Sequence, residues 1–418
     1  MRSRQAKWAP QPRPDWVRRI NEEGDCMNIS GVVPLDEDSL LSAAQRATGL
    51  SDFGPDDWRE PFRVFIKALE EESELNLMGR IRTRSEILQL LEARLRIEDA
   101  CRQYPEIEAE VIEKPIILVG QGRSGTSFLL NLLSEDPDNG VIRVWEAIYP
   151  CPPPEKASYL TDPRIDRAHR AITQWNRVTP EFASMHEFAG SIPAEDSPIL
   201  AMNFMSVSWL AGFGQVPSYD SYMAGVPPEP ALLYHRRVLK LLQWKNPRRR
   251  WVLKDPLHLD RLEALLRLYP DACIVWPHRD PVRAMASVVS LLGTIQWGRS
   301  DHPFKGHALD IGLDPDIVAA RFGEVIDKIE SGAVPKAQIF NLLYADLIRD
   351  PVGTAEAIYA HFGIEFTQQA RGAMNAYCTQ NPRDARAAHR LAAGSDEDIA
   401  HERRAFARYQ AYFGIPSE

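Results

Sequence analysis

Short apolar runs alternating with helical segments predict an α/β protein, a three-layer P-loop-like fold with a central parallel sheet. A helical N-terminal region and a helical cap insertion are expected to extend it. Three observations carry this. Residues 115–120 form a continuous apolar run closed by glycine, the texture of a strand buried on both faces. The same order of run and helix returns at 251–254, 273–276 and 339–344. Residues 151–247 interrupt that rhythm with many prolines and aromatics.

Taken in order, the first thirty or so residues are polar and proline-bearing and read as irregular. From 35 to 105 the pattern is helical: Thr83 and Glu86 have capping-box spacing, and Ile87, Leu91 and Leu95 repeat on one face. Residues 1–110 are therefore expected to form a helical region and 111–418 the α/β domain. After the first strand, 128–133 has helical composition. The second strand leads to a leucine-rich helix over about 259–269, the third to one over about 281–292, and the fourth to one ending near Phe362. The interrupting segment 151–247 reads as a cap over the sheet's carboxyl edge, where open α/β sheets bind ligands.

The 418 residues are 44% apolar and 26% charged, with a net charge of −9. That balance argues against a broad nucleic-acid surface, so any phosphate affinity belongs to a local pocket. No run is long enough to span a bilayer, and the opening residues lack the apolar core of a signal peptide. Five scattered cysteines without CxxC pairing read as reduced thiols, and a cytoplasmic protein without a metal is expected.

Two loops carry the chemistry. Gly120, Gly122, Arg123, Ser124, Gly125, Thr126 and Ser127 stand between a strand and a helix with the glycine spacing of a P-loop, but Thr126 occupies the lysine position. Glycines let the backbone wrap an anion, and the N–H groups at the helix start point at it. Without the lysine a triphosphate loses a ligand, while an arginine within the loop suits one terminal phosphosulfate. The plain alternative is a glycine-rich turn without a ligand. The second loop, 278–287, follows a strand and opens a helix, with Asp280 as cap and Pro281 in the first turn. Arg279 at the strand end and Ser287 two turns into the helix could share a phosphate group; the alternative is a well-capped helix with a surface arginine. Two such loops imply a nucleotide with phosphate at both ends.

Together these residues resemble the sulfotransferases that use 3′-phosphoadenosine-5′-phosphosulfate (PAPS), most closely the bacterial branch. The resemblance implies that Gly122–Ser127 holds the 5′-phosphosulfate and that Arg279 and Ser287 hold the 3′-phosphate. It also implies that Lys254, in the segment 251–258, stands near the sulfate, and that Tyr344 contacts adenine. The implied reaction moves a sulfuryl group to a hydroxyl or amine of a small acceptor and leaves 3′-phosphoadenosine-5′-phosphate (PAP). Two features depart from the cytosolic branch: Arg123 replaces a lysine, and a C-terminal GxxGxxK stretch is absent.

Sulfuryl transfer needs cations at the leaving oxygens and a base at the acceptor. Arg123 and Lys254 are the expected cations; the plain role for Lys254 is an ion pair with Asp255. Candidates for the base are Glu146, His186 and His258, with Glu195 and Asp196 as an acidic pair able to hold a histidine or an amine. Each could equally be a hydrogen-bonded structural group. Glu146 stands close to where tyrosyl-protein sulfotransferases carry a catalytic glutamate. His169, His235, His302 and His307 read as surface or structural residues, and aromatics between Trp175 and Tyr222 could line an apolar acceptor pocket, though most read as core. Two rival readings are a P-loop kinase or NTPase and a non-catalytic PAP-binding module.

Overall fold

Alternation along the first strand sorts its side chains into two cores, as period-two geometry requires. Ile116 and Leu118 join Val252, Cys273, Val275 and Leu342 on one face, against Leu129, Leu133 and Ile358. Ile117 and Val119 join Trp251, Leu253, Ile274 and Trp276 on the other, against Phe62, Leu91 and Leu95 of the N-terminal helices. The computed structural model describes residues 5, 8–304, 309–382 and 394–418. His307 lies outside the described residues.

The strands are Ile116–Leu118 (β1), Asn139–Gly140 (β2), Arg250–Lys254 (β3), Cys273–His278 (β4) and Ile339–Leu343 (β5), in the order β2-β3-β1-β4-β5. Every pairing is parallel. Leu118 stands opposite Lys254 on one side and Val275 on the other, so the carboxyl ends of β3, β1 and β4 lie side by side. Strand order reverses around β1, the switch point where such sheets open a crevice.

Four expectations change. A helix over Asp15–Gly24 forms within the stretch read as irregular. Thr83 does not start a helix: one helix runs Leu77–Gln103 with Asn76 as its cap, and the Thr83 hydroxyl donates to the Phe213 carbonyl. The leucine-rich segment after β3 begins as a 3-10 turn, Pro256–Arg261, before the helix Leu262–Leu268. Pro351 divides the last segment into Tyr344–Arg349 and Pro351–His361, since proline favours a helix's first turn.

The segment 151–247 is helical, mostly in short pieces, ending in the longer helix Glu229–Trp244. Buried arginines fix it to the long N-terminal helix. Arg299 donates to Thr83 and Glu86 and lies over the Trp175 and Phe213 rings, while Arg82 lies over the same Trp175 ring and donates to Gly298. A guanidinium suits this position because it stacks and donates in a fixed fork.

Candidate active site

The loop after β1 turns through three residues with positive φ: Gly120 at 108°, Arg123 at 74° and Gly125 at 96°. A Cβ on Gly125 would stand 2.9 Å from the Tyr344 ring, so glycine is needed there for close approach as well as for conformation. Arg123 holds the left-handed region with a full side chain, a local cost of order 1–3 kcal/mol. Left-handed residues in such a loop turn successive N–H groups to one side, a concavity suited to an anion. The helix Thr126–Leu133 starts directly from it.

Arg123 joins the two loops. Its Nε donates to Ser287 Oγ at 2.8 Å, in the helix Pro281–Trp297 that opens from β4, and its Nη1 donates to the Met185 carbonyl at 2.9 Å. The guanidinium therefore reaches the second loop and the cap, a wider span than the sequence suggested. Ser124 Oγ donates to Gln121, while Ser127 Oγ meets Lys254 Nζ at 3.1 Å. Thr126 is buried at the helix start, and Gly122 has open space at its Cβ position.

Lys254 ends β3 and is itself buried, with its amine paired to the Glu195 carboxylate. Sequence reading named Asp255 as its plain partner. Asp255 instead accepts from Ser208 and from the Leu257 N–H, capping the following turn.

At the second loop Arg279 lies over the Tyr344 ring at 4.3 Å and donates to the Arg123 carbonyl at 3.3 Å. Its Nε and Nη2 donate to the Glu418 carboxylate at 3.0 and 2.9 Å. Asp280 caps its helix through Val282, as expected, and also accepts from Arg403 and from the Glu418 N–H. Residues 415–418 thus lie beside this loop, where His278, Arg279, Tyr344, Ile415 and Glu418 line a cavity of about 380 Å³.

The three base candidates separate. Glu146 is fully buried at the first turn of the helix Val144–Ile148. It accepts from the Arg143 N–H, Tyr159 and Arg248, at 2.9, 2.9 and 3.0 Å. Burial pushes its carboxyl up, against the pull of Arg248, and its lone pairs are committed to holding that turn. His258 is also fully buried, its Nε2 donating to Asp196 at 2.8 Å, and faces the protein rather than the crevice. His235, read as surface or structural, is buried beside the same carboxylate, with Nε2 at 3.7 Å. His186 is half-buried, its ring stacked on Phe182 and beside Phe188. Its Nδ1 lies 2.8 Å from the Glu187 carbonyl, which can only accept, so Nδ1 carries the proton and Nε2 keeps its lone pair. Burial lowers its pKa below the ordinary value, opposed by Glu195 and assisted by Lys254 and Arg123.

Arg123, Ser127, Ser287, Lys254, Glu195 and His186 therefore share one region, bounded by Arg279 and Tyr344. Glu146 and His258 serve as local supports. The contacts of Glu418, Arg403 and the Met185 carbonyl had no signal in the sequence, because each closes a loop of more than sixty residues. Among the described residues no group of three or more metal-ligating side chains comes together.

A profile described as "Sulfotransferase family" matches residues 115–368. Proteins named omega-hydroxy-beta-dihydromenaquinone-9 sulfotransferase Stf3, from Mycobacterium bovis and Mycobacterium tuberculosis, are each 27% identical over 272 residues. The match covers 62% of this chain and 64% of each relative, so the chain spans less than two thirds of their length. Among solved structures, sulfotransferase STF1 from Mycobacterium tuberculosis H37Rv is similar at a TM-score of 0.73 and 30% identity, with 89% of this chain and 98% of that one covered. Sulfotransferase STF9 from Mycobacterium avium is similar at a TM-score of 0.78 and 25% identity, with 91% and 97% covered.

Proposed function

The chain belongs to the sulfotransferase family, and from that premise we propose that it transfers a sulfuryl group from PAPS to the hydroxyl of a small apolar acceptor, releasing PAP. The observation that carries the reading is the pair of anion loops on adjacent strands β1 and β4, bridged by Arg123 and Ser287, with Lys254 level with them on β3.

In this reading Gly122–Ser127 receives the 5′-phosphosulfate, Arg279 and Ser287 the 3′-phosphate, and Tyr344 the adenine. The bond between sulfur and the bridging oxygen breaks as the acceptor oxygen bonds to sulfur. Negative charge then gathers on the PAP phosphate, where Lys254 and Arg123 stabilise it. The transition state is loose, so alignment contributes more than nucleophile strength. His186 takes the acceptor proton at Nε2; its lowered pKa keeps it neutral, hence basic, at pH 7. Glu195 holds Lys254 in place.

An apolar alcohol is favoured for two reasons. Phe182 and Phe188 pack against His186, and Trp175 and Trp209 extend the same aromatic group behind them. The similar Stf3 proteins are named for a hydroxylated dihydromenaquinone.

The test has two stages. PAP should raise the melting temperature more than ADP, because only PAP offers a 3′-phosphate to Arg279 and Ser287. Radiolabelled PAPS should then sulfate long-chain alcohols, with turnover surviving EDTA. Equal shifts for PAP and ADP, or magnesium-dependent phosphate release from ATP, would return the chain to the kinase reading. PAP binding without sulfation of any alcohol, phenol or amine would favour the non-catalytic module.

A further inference from the structure

Beneath Lys254 lies a buried polar group that the proposed chemistry does not use. Asp196, His235 and His258 are all about 1% exposed or less. They come from three separate segments: Asp196 precedes the helix Ser197–Ala201, His235 lies in the helix Glu229–Trp244, and His258 in the turn after β3. Burying a carboxylate is costly without donors, so such a cluster persists only where its geometry is held tightly.

Asp196 is bonded both to Lys254, the last residue of β3, and to the turn that follows it. Its N–H donates to the Lys254 carbonyl at 2.8 Å, and its Oδ2 accepts from His258 Nε2 at 2.8 Å. The residue before it, Glu195, carries the carboxylate paired with the Lys254 amine. One clamp therefore fixes both partners of that ion pair, each from within a few residues of chain. Asp255 reinforces it by accepting from Leu257, which sets the turn that presents His258.

We infer that Asp196 and His258 are positioning residues for the Lys254–Glu195 pair, acting on sulfuryl transfer without touching either substrate. This rests on the proposed role of Lys254. Misplacing a charge by about 1 Å can cost up to about a hundredfold in rate, whereas most of the proposed phosphate contacts of PAP lie in the loops after β1 and β4. The clamp should therefore appear in kcat far more than in donor affinity.

The experiment uses the full chain with PAPS and an alcohol acceptor, comparing His258→Ala, His258→Gln, Asp196→Asn, Lys254→Met and Lys254→Met/His258→Ala. His258→Ala should lower kcat about tenfold or more, with the Kd for PAP within twofold of the parent. His258→Gln, whose amide can donate from nearly the same place as Nε2, should recover most of that loss. In the Lys254→Met background His258→Ala should cost nothing further, because the group it positions is gone. A normal kcat in His258→Ala, equal losses in the Ala and Gln variants, or full additivity with Lys254→Met would each overturn the inference. Should His258→Ala fail to fold, the near-isosteric Asp196→Asn carries the same test, with a lowered kcat and unchanged PAP affinity expected and unchanged kcat refuting it. A Lys254→Met enzyme of normal kcat would instead remove the reading of Lys254 on which the clamp depends.

Discussion

Replacing Glu418 with glutamine should tighten PAP binding, because Arg279 already holds a carboxylate where the 3′-phosphate is proposed to sit. Two guanidinium nitrogens donate to Glu418 at 3.0 and 2.9 Å, and both side chains are partly solvated, at 23% and 34% exposure. Pairs of that exposure contribute about 1 kcal/mol or less. PAP must displace this contact before its own phosphate can bind, so removing the charge should lower the PAP Kd by up to about fivefold. ADP has no 3′-phosphate, and its Kd should stay unchanged. The backbone bond from Glu418 to Asp280 survives the substitution, so the segment keeps its place. Titration calorimetry of both nucleotides on the parent, Glu418→Gln and Arg279→Ala chains gives the comparison. Weaker PAP binding in Glu418→Gln would mean that the carboxylate orients Arg279 instead of competing for it. An equal gain for ADP would detach Arg279 from the 3′-phosphate altogether.

Glu146→Gln should unfold more readily, by about 1–3 kcal/mol in a urea titration, since it weakens a buried carboxylate holding Arg248, Tyr159 and a helix start. Its kcat should stay within a few-fold of the parent, whereas His186→Gln should lose about a hundredfold; the reverse order would exchange their roles. Burial brings His278 down to about 3 and His235 down to about 4, so the unfolded chain takes up their protons first. The stability these neutral histidines contribute is complete above about pH 6.5 and is lost as pH falls toward 4, at up to about 1.4 kcal/mol per pH unit for each. Urea midpoints at stepped pH should show a shallower acid loss in His278→Gln, and identical slopes would refute the assignment. Arg299→Lys should lower stability by about 1–3 kcal/mol in the same titration, because an ammonium cannot reach Thr83 and Glu86 while stacking on Trp175; an unchanged midpoint would mean that stacking there contributes little.

The four main strands and both loops were legible because each pairs a local composition with a local geometry: a buried apolar run, then residues that cap or turn. Lys254 was legible for the same reason, as a charge placed directly after such a run. The two-residue strand Asn139–Gly140 was not, since its pairing with Arg250 and Trp251 lies in the partner strand and not in its own sequence. Thr83 misled because capping-box spacing can occur inside a helix; the tertiary contact with Phe213 decided its role. Among the base candidates, chain distance from the phosphate loop favoured Glu146. Only the folded arrangement shows that Arg248, about a hundred residues away, has claimed that carboxylate. The sorting of Asp196, His235 and His258 into one buried cluster likewise needed three segments to meet.

In the proposed reaction Arg123 would have one hand on each side: Ser287 belongs to the helix assigned to the donor, and the Met185 carbonyl adjoins His186. A guanidinium shared in this way would make the two substrates thermodynamically dependent on each other. Should phosphosulfate compete for the Arg123 guanidinium, the Met185 contact would be released, and the backbone beside the proposed base would become free to settle around an acceptor. Linkage then requires reciprocity: whatever factor the donor product contributes to acceptor affinity, a bound acceptor must return to PAP. Bisubstrate kinetics should therefore show binding constants for donor and acceptor that depend on each other by the same factor.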